Sequence, residues 1–167
     1  MAKNKIFVIC HNIRSRHNVG SIFRTADGAG VSKIFLCGIT PAPPHPNISK
    51  VSLGAENFVE WEKGKNTWRT IEKLKKEGFK IVALEQAKGA IAYDKFKLPE
   101  KSIALILGNE VEGLPIRRGG LKRADKIVYL PMYGKKESLN VSVAFGVAVY
   151  KIRELMVDSA RSKAGAE

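Results

Sequence analysis

The chain has 167 residues, of which 44% are hydrophobic and 8% aromatic, a composition typical of one folded domain rather than of a disordered segment. Its 29 lysines and arginines exceed its 16 aspartates and glutamates, and the net charge of +13 favours a polyanionic partner: RNA, DNA or an acidic membrane surface. No apolar run is long enough to span a bilayer or to form a signal peptide, so we expect a cytoplasmic protein that does not enter the membrane.

The first half of the chain alternates predicted strands and helices. Residues 5–10 (KIFVIC) and 33–38 (KIFLCG) are short apolar runs that predict strands. Between them, helical spacing of apolar residues predicts a helix over 19–30 with Asn18 as its N-cap. Four prolines predict a loop over 41–47, and residues 53–64 are ambiguous. Residues 66–78 predict an amphipathic helix that ends at a glycine.

The second half continues the alternation. Residues 80–86 and 102–108 are apolar enough to be central parallel strands, and residues 126–131 form another strand that ends at a proline. Residues 114–124 predict a short polar helix or turn. The pattern predicts an open, mostly parallel α/β sheet with helices on both faces, whose ligands bind at the carboxyl ends of the strands.

The stretch ESLNVSVA (137–144) has two interpretations. Polar and apolar side chains alternate from Ser138 to Val143, as in a half-buried strand. If Ser138 instead caps a helix, one helical face carries Leu139, Val143, Val147 and Tyr150. We expect a single domain over residues 1–157 and a frayed tail over 158–167.

Cysteine and histidine offer no evidence of a metal site. Cys10 and Cys37 lie at the ends of strand-like runs, which favours buried thiols in a reducing compartment. No Cys/His spacing typical of a metal site occurs, so we expect no bound metal.

Three polar segments interrupt the core-building pattern at strand ends. Residues 11–30 concentrate Arg14, Arg16 and Arg24 at a strand–helix junction, which would suit phosphate binding, although a capped helix with solvated arginines also explains them. The position of Arg24 favours a binding role over solvated arginines, because a long cation inside a mostly apolar helix usually needs a partner. Residues 105–115 place Gly108 and Gly113 around a turn that matches neither a dinucleotide fingerprint nor an NTP loop. Residues 129–146 lead from a strand into a Gly–Lys–Lys loop.

These segments carry a resemblance to a known family. NVGSIFRTADGAG, LGNEVEGLP and LPMYGKKESLNVSVA resemble the three signature motifs of the SpoU (TrmH-type) RNA ribose 2′-O-methyltransferases of the SPOUT superfamily. The resemblance covers residues 5 to about 155, in the family's order and spacing. It implies a homodimer, an α/β sheet whose C-terminal part forms a trefoil knot, and a helix from 138 to about 157.

The resemblance also implies a cofactor, an RNA substrate and site residues. The reaction would move a methyl group from S-adenosylmethionine to a ribose 2′-hydroxyl of tRNA or rRNA. The implied catalytic set is Arg24, Asn18, Glu110, Ser138 and Asn140. The implied cofactor pocket comprises Leu84, Glu85, Gln86, Leu107, Gly108, Asn109, Gly113, Ile127, Leu130, Met132, Ser138 and Leu139. We expect RNA to contact Arg14, Arg16, Lys63, Lys65, Arg117, Arg118, Lys135 and Lys136.

Three alternatives stay open at this point. The chain could be a non-catalytic RNA-binding module on the same scaffold, although the intact catalytic set argues against it. It could methylate a base rather than a ribose. From charge alone it could bind DNA, although no DNA-reading motif occurs in the sequence.

Overall fold

Seven strands form one parallel sheet in a computed structural model that describes residues 4–115 and 119–165. Their order across the sheet is β3-β2-β1-β6-β4-β7-β5, and every pairing is parallel. The predicted open parallel sheet is therefore confirmed. The strands are β1 (Ile6–His11), β2 (Lys33–Cys37), β3 (Glu60–Gly64), β4 (Lys80–Leu84), β5 (Ile91–Ala92), β6 (Ile103–Leu107) and β7 (Lys126–Tyr129).

Helices cover both faces of the sheet, as predicted. They are α1 (Arg16–Gly28), α2 (Pro46–Ser52), α3 (Thr67–Lys76) and α4 (Val141–Ala164). Side chains of β1 alternate between the two cores: Val8 packs with α1 and α4, whereas Ile9 packs with α3. This follows from the two-residue period of a strand, because each strand must bury both of its sides.

The register of the central strands brings four segments together at one edge of the sheet. Leu107, at the end of β6, lies opposite Cys10 of β1 and Leu84 of β4. Leu84 in turn lies opposite Val128 of β7. The carboxyl ends of β1, β6, β4 and β7 therefore lie nearly level, and the segments that follow them meet at one edge of the sheet.

Two helix starts differ from the prediction. Ser15, not Asn18, caps α1, and its side chain accepts a hydrogen bond from the backbone N–H of Asn18. Asn18 is thereby free to use its side chain elsewhere. The loop predicted over 41–47 gives way to α2 at Pro46, because proline suits the first helical turn, where its missing N–H costs nothing.

The opening of α4 resolves the ambiguity of residues 137–144 in favour of a helix. Asn140, not Ser138, is the N-cap, since its side-chain oxygen accepts hydrogen bonds from the N–H groups of Ser142 and Val143. The helix continues beyond 157 to Ala164, so residues 158–164 are helical rather than frayed. Lys163 forms an ion pair of 3.3 Å with Glu100, and basic residues in the last turn suit the helix dipole.

The remaining segments follow the expectations in outline. Residues 53–64 contain a 3₁₀ turn (Ala55–Asn57) and strand β3, and two further 3₁₀ turns lie at Tyr93–Lys95 and Leu121–Arg123. Both cysteines are buried and free, as expected. Among the described residues, no helix has the length and apolar character needed to cross a bilayer, and no cluster of metal-ligating side chains occurs.

Candidate active site

A cavity of about 300 Å³ opens at the carboxyl ends of β4, β6 and β7, beside the start of α4. It lies at the edge where ligands bind in open α/β sheets. All of the predicted cofactor residues line it except Ile127. The lining residues are 84–86, 107–113, 129, 130, 132, 138–141 and 144.

Ile127 lies away from this cavity because it is two residues further from the carboxyl end of β7 than Tyr129, which lines the cavity. It occupies the middle of β7, where neighbouring residues point to opposite faces of the sheet. Val128 packs into the core under α1 and α4, whereas Ile127 packs into the core on the α3 side. The structure therefore does not bring Ile127 to the pocket where the other predicted residues meet.

Five lining residues were not predicted: Val111, Glu112, Tyr129, Val141 and Ala144. Helical periodicity could have identified Ala144, which follows Asn140 by four residues and shares its side of α4. The others lie next to predicted residues in the loop after β6, at the end of β7 and at the first position of α4. No local pattern marks them, since their position depends on how distant segments meet.

Three predicted catalytic residues form a continuous hydrogen-bond chain across the site, here called the amide chain: Glu110, Asn18 and Asn140. The Asn18 amide nitrogen donates to Glu110 Oε1 at 3.0 Å. The Asn140 amide nitrogen donates to Asn18 Oδ1 at 3.1 Å. Asn140 Oδ1 accepts from the Ser142 backbone N–H at 2.9 Å. The amide chain therefore joins the loop after β6, helix α1 and the start of α4.

Glu110 anchors the amide chain to the start of α1. Besides the Asn18 amide, its carboxylate accepts the backbone N–H groups of Arg14 at 3.0 Å and Ser15 at 3.1 Å. Partial burial acts to raise the pKa of Glu110, but these hydrogen bonds outweigh it and the pKa lies below its usual 4.5. Glu110 is therefore an ionised, acceptor-only group that fixes the position of α1 beside the cavity.

Replacing Glu110 by glutamine should destabilise the protein in a pH-dependent way. Because the folded-state pKa of Glu110 is depressed, its stabilisation is present above pH 4.5 and is lost as the pH falls through the folded-state value. The difference in unfolding free energy between wild type and Glu110→Gln, measured by urea denaturation, should be full at pH 7 and shrink below pH 4.5. Glu112→Gln is the control, because Glu112 accepts no hydrogen bond within residues 4–115 and 119–165. A pH-independent difference for Glu110→Gln would contradict this role.

The loop after β6 folds back tightly on itself. Asn109 is buried, and its side-chain oxygen accepts the backbone N–H of Val111 at 2.8 Å while its amide donates to Asn12 O at 2.8 Å. The Glu85 carboxylate accepts the backbone N–H of Leu114 at 2.8 Å, which ties the loop to the end of β4. Gly113 has a φ of +63°, a conformation that favours glycine.

Arg24 lies on the solvent side of α1 and does not line the cavity. It follows Asn18 by six residues, which places it about 9 Å further along the helix and on a different side. Its place in an apolar sequence does not bury it, because Val19, Ile22, Phe23 and Ala26 form the buried face. Arg24 makes no hydrogen bond or ion pair with the described residues, so its guanidinium is available to a ligand.

The residues predicted to bind RNA fall into three groups. Lys135 and Lys136 are exposed and lie between the lining residues Met132 and Ser138. Arg14, Arg16 and Lys65 are also exposed, and the backbone N–H of Arg14 donates to the lining residue Glu110. Lys63 is already engaged, because its ammonium donates to the carbonyl oxygens of Gly38 and Thr40. Arg117 and Arg118 lie outside the described residues.

Comparison with known proteins places the chain in a family. Residues 5–150 match the model of the SpoU rRNA Methylase family. This match covers most of the sequence. The chain belongs to the SpoU rRNA methylase family.

Curated relatives of the family cover most of this chain. The chain is 32% identical over 157 residues to the 23S rRNA (guanosine-2′-O-)-methyltransferase RlmB of Neisseria meningitidis, covering 94% of this chain and 61% of that protein. It is 30% identical over 146 residues to the tRNA (guanosine(18)-2′-O)-methyltransferase of Aquifex aeolicus, covering 87% and 67%. The chain thus spans about three-fifths to two-thirds of the length of these relatives.

Solved structures of the family share the fold. The AdoMet-bound rRNA methyltransferase of Sinorhizobium meliloti superposes with a TM-score of 0.84 at 29% identity, over 92% of this chain and 57% of that one. The TrmH/SpoU tRNA modifying enzyme of A. aeolicus gives 0.82 at 28% identity, over 95% and 79%. The α/β architecture is therefore that of SpoU methylases.

Proposed function

We propose that the protein transfers a methyl group from S-adenosylmethionine to a ribose 2′-hydroxyl of tRNA or rRNA. The amide chain carries this proposal. It joins side chains from all three motifs by hydrogen bonds at the cavity, although Asn18 and Glu110 are 92 residues apart in sequence. The relatives named as 2′-O-methyltransferases support the same reaction.

The residues that line the cavity suit S-adenosylmethionine in their chemistry. Leu84, Leu107, Leu130 and Met132 offer apolar surface for an adenosine group. Glu112 also lines the cavity and is exposed, so its carboxylate can face the cationic part of the cofactor. When bound, the cofactor supplies an electrophilic methyl group. The similar rRNA methyltransferase of S. meliloti was solved with AdoMet bound, which supports the assignment.

The residues of this chain would position the acceptor hydroxyl and steady its developing charge. The ribose oxygen must lie within about 3–3.5 Å of the methyl carbon and in line with the bond that breaks. Asn140 and Ser138, at the cavity mouth, would orient the ribose. A guanidinium is a planar cation with N–H donors and no acceptor, so Arg24 would pair with the adjacent RNA phosphate and stabilise charge on the 2′-oxygen rather than act as a base. The phosphate would relay the hydroxyl proton to water, because a phosphodiester is too weakly basic to keep it.

We also propose a homodimer formed through α4. Leu139, Val143, Val147, Tyr150 and Val157 are exposed apolar side chains, and the four within α4 follow at intervals of four, three and seven residues. This stripe, here called the α4 stripe, lies opposite the buried face of α4. It is long enough to pack against the same stripe of a second copy, and α1, which carries Arg24, packs against α4. If the active site lies near the subunit interface, Arg24 can contact the substrate there although it does not line the cavity of its own subunit. We further propose the trefoil knot that the resemblance implies and the cytoplasmic location that the sequence predicts.

A charge placed in the α4 stripe should separate the dimer. Val147→Lys puts an ammonium in the middle of the stripe at an exposed position, so the fold should persist while association weakens. Sedimentation velocity should give a dimer for wild type and a monomer for Val147→Lys. Ala160→Lys, an exposed change near the end of α4, is the matched control. A wild-type monomer, or a Val147→Lys dimer, would contradict the interface.

Methyl transfer tests the proposed function directly. Purified protein with radiolabelled S-adenosylmethionine should label unmodified tRNA or rRNA, and Arg24→Ala should not. No binding of S-adenosylmethionine at all would favour the non-catalytic RNA-binding alternative, whereas binding without transfer to either RNA would mean that a partner or the target RNA is missing.

A further inference from the structure

Tyr133 is the most exposed large hydrophobic side chain that the structure describes, with 95% of its surface accessible. It lies in the segment between β7 and α4, where both Met132 before it and Ser138 after it line the cavity. Tyr133 itself does not line the cavity. A side chain that stands free at the rim of a catalytic pocket has surface available for a partner.

The charges around Tyr133 indicate the chemistry of that partner. Lys135 and Lys136 follow it in the same exposed loop, with one acidic residue, Glu137, after them. Arg14, also exposed, donates its backbone N–H to Glu110 of the cavity lining. Aromatic side chains interleaved with cations are the pattern with which proteins bind single-stranded RNA, because bases stack on the rings while lysine and arginine contact phosphates.

We propose that Tyr133 stacks on a nucleobase of the RNA substrate and so holds the target nucleotide at the cavity. This inference deepens the proposed function and rests on it. Because Met132 faces the cavity and Tyr133 does not, the ring is available to RNA rather than to the cofactor. A base that leaves the stack of its neighbours loses its stacking contacts, and an aromatic side chain can replace them. This contact does not depend on which base is present.

The test compares aromatic and aliphatic replacements. Tyr133→Phe keeps the ring, and Tyr133→Leu removes it while staying apolar. For the RNA pool that the wild type methylates, Tyr133→Leu should raise KM about tenfold and Tyr133→Phe should leave it nearly unchanged. The dissociation constant for S-adenosylmethionine should be unchanged in both. Phe58→Leu is the control, because Phe58 is 78% exposed but precedes β3, at the opposite edge of the sheet.

Direct binding separates failure of this inference from failure of the proposed reaction. A single-stranded RNA oligonucleotide that contains 2-aminopurine should lose fluorescence on binding wild type and Tyr133→Phe, and lose much less with Tyr133→Leu. Equal quenching by all three proteins, or none by wild type, would overturn the inference even if methyl transfer occurs. A weaker affinity for the cofactor in Tyr133→Leu would place the ring over the cofactor instead. If Tyr133→Leu is a monomer while wild type is a dimer, the ring belongs to the subunit interface instead.

Discussion

Arg24→Ala should reduce methyl transfer by at least about 100-fold in kcat while cofactor binding stays close to wild type. The guanidinium lies outside the cavity and makes no hydrogen bond or ion pair with the described residues. Its removal should therefore leave the fold and the pocket intact and affect only the reaction. Single-turnover transfer and calorimetric titration with S-adenosylmethionine measure the two effects separately.

Two further variants test the role of Arg24. Arg24→Lys keeps the charge but loses the planar pair of donors. If Arg24 bridges phosphate and ribose, Arg24→Lys should transfer methyl groups little faster than Arg24→Ala. Arg69→Ala, an exposed arginine on α3, controls for the loss of one positive charge. Loss of cofactor binding in Arg24→Ala, or full activity in Arg24→Lys, would contradict the bridging role.

Gly108→Ala should weaken cofactor binding by about tenfold or more. A Cβ at this position would lie 2.5 Å from the carbonyl carbon of Gly113 and 2.6 Å from the backbone nitrogen of Leu114. These are backbone atoms, so the loop that lines the cavity must shift, and overpacking of this kind costs about 1–3 kcal/mol. Calorimetric titration with S-adenosylmethionine measures the loss of affinity.

Gly134→Ala is the matched control for Gly108→Ala. Gly134 lies in the segment between β7 and α4, but a Cβ there meets no atom within 4 Å. We expect its cofactor affinity to equal that of wild type. Equal affinities for Gly108→Ala and wild type would mean that the loop after β6 does not shape the cofactor pocket.

Local sequence patterns predicted the class of fold and most of the strands. Apolar runs that alternate with amphipathic helices identify a parallel sheet, because burial on both faces requires nearly continuous apolar residues along each strand. The exact starts of helices were harder, since several polar residues compete as caps. Ser15 wins over Asn18, and Asn140 wins over Ser138, because the chosen side chain is the one that reaches an exposed N–H of the first turn.

The connections within the candidate site could not be predicted from spacing. Asn18 and Glu110 come together only because β6 pairs beside β1, a strand order that the sequence does not state. The exposure of Arg24 likewise depends on which face of α1 packs inward. Motif resemblance identified all three residues, and the structure supplied the hydrogen-bond partners of Asn18 and Glu110.

The identity of the methylated nucleoside tests the central claim most directly. RNA labelled by the purified protein would be digested to nucleosides and separated by chromatography with mass spectrometry. We expect the label in a 2′-O-methylated nucleoside, in tRNA or in rRNA. A label on a base would mean that the site orients its substrate differently from the proposed arrangement. No label in either RNA, despite bound S-adenosylmethionine, would contradict the assignment of this protein as a ribose methyltransferase for these substrates.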